Sequence, residues 1–555
     1  MGEDGRAADL VLHSGAVYTV DAARRWAEAV AVAGGRIVAV GSDRDVRALV
    51  GPGTEVVDLA GRLVLPGFQD AHIHAVSAGL NQLRCHLAGP ASTDRYVEQV
   101  AVYARDHPDR PWITGGGWSM TAFPGGTPTA DLLDAVVPDR PVFLRNADGH
   151  GAWVNRVALE DAGIDRDTPD PPDGRIERDG DGAPTGTLHE GAMQLVGRLV
   201  PRPSDDEMLE ALRLAQRDLH RLGITAWQDA IVGRTSEGFP DPLPAYRALD
   251  QRGELTARVV GALWWDRARG TEQIPELIEM RAHTGGQRFQ ATSVKIMQDG
   301  VCENFTAAML APYEREGNGT GISFVPADLL AEAVAALDAE GFQVHVHTIG
   351  DRAVREALDA IEHARERNGW NDHRHHLAHV QVVHPDDRPR FRALGVTVNA
   401  QPLWATHEPQ MDTLTIPFLG PQRAGWQYPW ASLRATGATL AFGSDWPVSS
   451  PDPFEQLHVA VNRTPWTGGP DAGDDVEPFL PDERLDLPTA VAAFTIGSAY
   501  VNHLDADTGS IEPGKAADLV VVDRDLFAGP ADAIAGARAL LTTVEGEVVH
   551  ADPGL

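Results

Sequence analysis

Lysine is nearly missing from this 555-residue chain: of its 47 basic residues 45 are arginine, which leaves Lys295 and Lys515. Arginine keeps its proton at any physiological pH, whereas a lysine amine can be made neutral and reactive by its surroundings. A lysine that persists here therefore draws attention to its position as one that can call for an amine rather than a guanidinium. Positive charge is scarce altogether. With 80 acidic residues the formal charge is −33, and so acidic a surface repels phosphate backbones and anionic headgroups, which sets aside nucleic-acid and peripheral membrane partners. No apolar run approaches the ~20 residues of a spanning helix, and the opening MGEDGRAADL has neither the basic nor the apolar region of a secretory leader. Cysteine is limited to Cys85 and Cys302, whose separation fits neither a zinc ribbon nor a disulfide framework. Two buried, inert thiols in a reducing, cytoplasmic setting are expected. What stays open is a small-molecule role, in a chain long enough for two or three domains and free to form a homodimer.

Both ends read as strands. Ala8 to Tyr18 and Ala29 to Val40 near the N-terminus, and Asp518 to Asp523 and Thr542 to His550 near the C-terminus, are rich in β-branched residues around turn signals. One small β-sandwich built from residues 1–62 and 500–555 accounts for them most economically. Between them strands and helices alternate. Candidate strands are Leu63 to Asp70, Ile224 to Asp229, Arg258 to Leu263, Thr292 to Met297, Gln343 to His347, His376 to Val380, Val396 to Gln401 and Thr439 to Phe442, with helical periodicity at Asp205 to Leu222, Pro326 to Glu340 and Asp351 to Arg367. The fold class is α/β, a (β/α)8 TIM-type barrel over residues 63–84 and 200–499. The gap of residues 85–199 after the first strand is too long for a βα connection and calls for an inserted subdomain. Asp161 to Gly186 and Gly468 to Asp486 are expected to be exposed excursions, and Pro402 to Pro429 a lid at the barrel mouth.

His72 and His74, in PGFQDAHIHA, close the first strand. Residues i and i+2 of a strand point to one side, so the two imidazoles can grip one metal ion. Taken alone such a pair is weak evidence, but chemistry-bearing residues recur at strand ends: His347 in VHVHTIGD, His379 in HHLAHVQ and Asp445 in FGSDWPV. Every strand of a barrel ends on the same rim, so these groups converge. Lys295, in VKIMQDG, belongs to the fourth strand and faces the same interior.

These residues, with RPVFLRNADGHGAWVN, LAHVQ and the closing GSIEPGKAADLVVVD, resemble the amidohydrolase superfamily, and within it the amidohydrolase 3 or YtcJ-like branch that includes N-substituted formamide deformylases. The resemblance runs nearly the whole chain. It implies His72 and His74 as ligands of the more buried of two divalent metals, expected to be zinc, His347 and His379 as ligands of the more exposed one, a CO2-derived carbamate on Lys295 as the bridge, and Asp445 as ligand and catalytic base. Lys515 falls in the family's closing sequence and is assigned to structure. One departure stands out: Ala378 stands before the sixth-strand histidine, where the family is expected to carry Glu, so any hydrogen bond of that acid is missing.

The implied activity is hydrolysis of an amide, N-formyl or cyclic C–N bond of a small, partly apolar substrate by a metal-bound hydroxide. The same site can serve a lyase, decarboxylase, isomerase or deaminase, and a metal-dependent regulator is the non-enzymatic alternative. Trp118, His150 and Trp404 are the candidate substrate contacts, and Trp264, Trp265 and Trp446 also fall on loops or strand ends. His345 is read as structural, His373, His375 and His376 as solvated, and Glu190 is left open between ligand, supporting and helix-capping roles.

Overall fold

The computed structural model describes residues 7–87, 92–235, 238–314, 319–466 and 476–553. Its centre is a sheet of eight parallel strands: β1 (Phe68–Ile73), β2 (Ile224–Val232), β3 (Arg258–Trp264), β4 (Phe289–Met297), β5 (Gln343–Thr348), β6 (His376–His379), β7 (Thr397–Ala400) and β8 (Leu440–Phe442). Covered on both faces, these strands are buried almost throughout, their Val, Ile, Leu and Ala residues interrupted by buried polar ones such as Gln228, Lys295, His345 and Asn399. Consecutive strands pair in sequence order, and the ring is drawn together just past the ends of β8 and β1, where Asp445 N donates to His72 O at 2.7 Å and His74 N to Trp446 O at 2.8 Å. Helices Asp205–Arg221, Ala327–Ala339 and Asp351–Asn368 present apolar faces to the outside of the barrel, close to their expected limits. The first is held at its start by reciprocal bonds between Ser204 and Glu207.

The first expected strand divides in two. Leu63–Pro66 does not enter the barrel; it pairs antiparallel with Leu519–Val522 and parallel with Ala16–Tyr18 in a six-stranded sheet that also holds Trp26–Ala27, Ala539–Val544 and Glu547–Ala551. The break falls at Gly67, where a β-carbon would lie 2.5 Å from the Thr225 side chain at the base of β2. A second sheet of Arg36–Gly41, Ala29–Ala33, Leu10–His13 and Glu55–Asp58 packs against the first through Leu12, Val30, Val64, Leu519 and Val521. Strands from the two ends of the chain thus share one sheet beside the barrel.

Between β1 and β2 lies a further six-stranded sheet, in the order Gly174–Arg178, Pro184–Glu190, Gly151–Val154, Val142–Asn146, Ile113–Trp118, Cys85–His86. It has apolar clusters of its own, one around Trp118, Phe123 and Trp153 and one around Leu159, Ile176 and Leu188. The Asp- and Gly-rich stretch 161–186, expected to be an excursion, supplies Gly174–Arg178 and the start of Pro184–Glu190, which pair with each other, while residues 187–189 just beyond it pair with Gly151–Trp153. Of the second expected excursion, residues 467–475 lie outside the described residues. Among the described residues no helix is long and apolar enough to cross a membrane.

Candidate metal centre and substrate cavity

Strand register brings the expected groups to one end of the barrel. Lys295 pairs with His345 and His345 with His376, while His347, two residues further along β5, lies opposite Met297 and Ala378, and His379 pairs with Thr348. The rings of His72 and His74 are 5.3 Å apart between centroids, His72 and His379 4.8 Å, and His347 and His379 4.4 Å. Asp445 Oδ1 lies 3.3 Å from His72 Nε2 and 3.0 Å from His74 Nε2, and one donor atom from each of these three residues falls within 4.8 Å of the others. The backbone of Asp445 is left-handed (φ +56°), as is that of His379 (φ +74°), strained conformations for non-glycine residues at the strand ends that aim the side chains. Asp70 supports the turn, accepting from His72 N at 3.0 Å and from Ser444 N at 3.0 Å.

A chain of hydrogen bonds settles which nitrogen of His72 is free. Gln343 Nε2 donates to the carbonyls of Arg374 and Val501, so its Oε1 accepts from Gln228 Nε2 at 3.1 Å; Gln228 Oε1 is then left to accept from His345 Nδ1 at 2.6 Å. The other His345 nitrogen, Nε2, therefore carries a lone pair and accepts from His72 Nδ1 at 2.8 Å. His72 Nε2 in consequence presents its lone pair to the Asp445 carboxylate. Burial, followed by the Lys295 charge, lowers His72 to about 3, so the imidazole is neutral. Burial works against the Asp445 charge too, but the neighbouring His72 and His74 outweigh it and hold the acid well below its ordinary range. Two acceptors thus face each other at 3.3 Å with no proton between them, and Asp445 Oδ1, His74 Nδ1 and His379 Nδ1 are buried without a hydrogen-bond partner among the described residues. On the other side His347 donates through Nε2 to Gly300 O at 3.2 Å, which leaves its Nδ1 lone pair free. Burial lowers the Lys295 amine to about 7, against the pull of Asp445.

Above these groups opens a cavity of about 610 Å³ whose wall includes all six, together with His150, Trp264 and Trp404. His150, on the loop before Gly151–Val154, is gripped by Glu190, with Nδ1 2.9 and 3.1 Å from the two carboxylate oxygens. Glu190 also accepts from Thr306 Oγ1 at 2.8 Å and Asn304 Nδ2 at 3.3 Å, so it ties the inserted sheet to the loop after β4 rather than capping a helix. Burial opposes a charge on His150, but Glu190 and then Asp148 and Asp445 raise it to about 9. Trp404 lies flat on His379, centroids 4.9 Å apart and planes within 3°, and donates to Ser449 Oγ at 3.2 Å. The Pro402–Pro429 connection that carries it is folded into short helical turns over the mouth.

Three expectations need correcting. Trp118 is not a substrate contact: it is fully buried in the inserted sheet, its indole N–H spent on Leu144 O at 2.8 Å, because the Gly115–Gly117 run preceding it lets neighbouring strands close over it. Trp265 is likewise buried, and Trp446 packs on the barrel core. His375 and His376 are buried rather than solvated, the first bonded to Asp338 at 2.8 Å, the second stacked 4.1 Å from His345. Sequence reasoning passed over Gln228, although a glutamine within the strand pattern ITAWQDAIV was a signal that a buried polar partner awaited it.

A parallel barrel that gathers four histidines, a lysine and an aspartate at its strand ends has the layout of a metal-dependent hydrolase. The chain belongs to the amidohydrolase family, which it matches over residues 55–550. Among curated proteins it is 32% identical over 533 residues to the LONG AFTER FAR-RED 3 protein of Arabidopsis thaliana (93% of this chain, 88% of that one), 29% identical to the putative amidohydrolase YtcJ of Bacillus subtilis (97% and 99%), and 28% identical to the N-substituted formamide deformylase of Arthrobacter pascens (97% and 97%). Among solved structures, an uncharacterized metal-dependent hydrolase from Pyrococcus horikoshii superposes with a TM-score of 0.72 at 25% identity, covering 94% of this chain and 99% of that one.

Proposed function

We propose that the protein hydrolyses an amide, N-formyl or cyclic C–N bond of a small, partly apolar substrate, using divalent metal held by His72, His74, His347, His379, Asp445 and a carbamate on Lys295. The observation that carries this reading is the pair of facing acceptors, His72 Nε2 and Asp445 Oδ1 at 3.3 Å. A neutral imidazole lone pair against a carboxylate repels unless a cation lies between them, and the unpartnered nitrogens of His74 and His379 add donors of the type that zinc favours. Bound there, a divalent cation supplies Lewis acidity toward a carbonyl oxygen and toward water. Two ions and CO2 addition at Lys295 belong to the proposal: the half-neutral amine that burial produces is the form that attacks CO2, and the N–C bond it makes releases one proton and leaves an anionic carbamate where a guanidinium would leave a cation.

Asp445 takes a proton from the attacking water as its oxygen bonds to the carbonyl carbon, and returns that proton to the nitrogen as the C–N bond breaks. His150, held as a cation by Glu190, stands on the cavity wall with its ring 5.5 Å from that of His347, placed to steady negative charge on the substrate. Trp404, Trp264 and Phe239 provide apolar wall for the group beside the scissile bond. The buried free thiols of Cys85 and Cys302 support a cytoplasmic setting. The test is turnover of a panel of N-formyl, N-acyl and lactam compounds by metal-loaded protein, by chelated protein and by Asp445→Asn. Cleavage that disappears with metal removal and falls about 10²–10⁴-fold in the variant is expected; activity unchanged after exhaustive chelation would sink the proposal.

A further inference from the structure

The cavity is longer than the metal centre requires, and one helix forms a ruler along it. Helix Ala75–Gln82 begins directly after His74, and the cavity wall takes Ser77, Leu80, Asn81 and Arg84 from it and the turn that follows, positions spaced as one helical face. At about 1.5 Å per residue, and with helical side chains leaning toward the N-terminus, the Arg84 guanidinium lies on the order of 10–15 Å from His74.

Arg84 is half-buried, yet its side chain makes no hydrogen bond or ion pair with any described residue. That is unusual in a chain with 80 acids, where the other arginines of this region are engaged: Arg110 pairs with Glu207 at 2.9 Å, Arg267 with Asp173 at 2.7 Å, and Arg145 lies over the Phe239 ring at 4.0 Å. Three more guanidinium groups without a hydrogen bond or ion pair to described residues, Arg198, Arg202 and Arg234, are solvent-exposed residues of the cavity wall. Asp241, which also lines the cavity and is felt electrostatically by Arg234 and Arg202, turns its carboxylate to the backbone N–H groups of Gly233 and Leu243 at 3.1 and 3.0 Å. The Arg84 guanidinium keeps its proton at any physiological pH, and with no protein acceptor among the described residues in hydrogen-bond range its donors are open to an acceptor that a ligand can bring.

We propose that Arg84, backed by Arg198, Arg202 and Arg234, is a subsite for an oxyanion, carboxylate or phosphate, carried by the substrate on the order of 10–15 Å from its scissile bond. The substrate class is then an extended amide with an anionic far end, recognised by the charge-assisted, fork-shaped bonds that arginine makes to such groups. The exposed arginines raise the local concentration of anions that the rest of this acidic surface repels. This assignment rests on the hydrolase reading for what lies at the inner end of the cavity, so its test is made to run without hydrolysis.

Metal-loaded full-length protein is titrated calorimetrically with 11-oxododecanoate, a ketone whose carbonyl and carboxylate lie about 12 Å apart when extended and which has no cleavable C–N bond, with its neutral carboxamide, with 10-oxoundecylphosphonate, and with the short 4-oxopentanoate. The long carboxylate or the phosphonate should bind at least tenfold more tightly than the carboxamide, and whichever of the two binds more tightly identifies the anion. The preference should vanish in Arg84→Gln, survive largely in Arg84→Lys, and persist in Arg95→Gln, which does not line the cavity. If Arg84→Gln does not fold, the double variant Arg198→Gln, Arg202→Gln at exposed positions should still reduce the preference severalfold. Equal binding of carboxylate and carboxamide, a preference untouched in Arg84→Gln, or a preference just as large for 4-oxopentanoate would overturn the subsite. Failure of N-formyl compounds to be cleaved would count against the hydrolase reading and leave these binding ratios standing.

Discussion

Replacing His345 by Phe tests whether the hydrogen-bond chain behind His72 sets the chemistry in front of it. The two rings are close in size, and the site is packed between His72 at 4.7 Å and His376 at 4.1 Å, so the change removes polarity with little change of volume. Two groups lose their partners: the His72 Nδ1 proton, now 2.8 Å from an acceptor, and Gln228 Oε1, now 2.6 Å from a donor. At about 1–3 kcal/mol for each buried group left unsatisfied, the fold should lose roughly 2–6 kcal/mol. Freed of its acceptor, His72 can also place its proton on Nε2, the nitrogen that faces Asp445. Loss of such a supporting partner typically costs about 10–100-fold in metal affinity, or roughly 1.4–2.8 kcal/mol. Chelator competition on the purified variant reads the affinity and thermal melting of the metal-free form reads the fold. A folded His345→Phe protein that binds zinc within twofold of wild type would refute the reasoning, since His72 would then hold its tautomer unaided.

Two further outcomes are expected. Lys295→Arg places a permanent cation among the donors and should lose metal and activity together, while bicarbonate should speed metal reconstitution of the wild type; full metal content and rate in the variant, measured by elemental analysis and turnover, would discard the carbamate. Glu177, on the inserted sheet, is a pH probe remote from the metal centre: burial acts to raise it, but hydrogen bonds from His189 at 3.1 Å and Arg175 at 2.6 Å lower it to about 2. A carboxylate lowered in the folded state contributes stability that is present above pH 4.5 and is lost as pH falls toward 2, so Tm of wild type and Glu177→Gln should differ at pH 6 and converge near pH 2.

The barrel was legible because short runs rich in Val, Ile, Leu and Ala alternate with helical segments, and β2 to β8 appear within a few residues of their expected limits. The end of β1 was legible for another reason: His72 and His74 share a side at any register. Its beginning was not, since the break at Gly67 depends on the approach of Thr225, a neighbour that only the assembled fold supplies. The same limit explains Trp118, whose place follows from what packs over three glycines, and the Gln343, Gln228, His345, His72 chain, whose members are joined across strands by a register that no local pattern encodes. Residues that converge on a rim can be foreseen from topology, whereas the atoms that orient them depend on pairing between strands more than a hundred positions apart.

The sharing of one sheet by both ends of the chain also sets a timetable for synthesis. Leu63–Pro66 can pair early with Ala16–Tyr18 but finds the partner for its other edge only when Leu519–Val522 has been made, and His72 meets Asp445 only after 373 further residues, the difference between their positions. At about 5–20 residues per second the ribosome needs roughly 19–75 s to close that interval. Through that time an apolar strand edge waits open, a template for pairing with other chains, and the donors of the metal centre remain apart. The nascent protein therefore spends most of its time on the ribosome unable to assemble its full set of metal donors, so rapid late-stage closure, or a chaperone that covers the Leu63–Pro66 edge, becomes as much a condition of activity as the donors themselves.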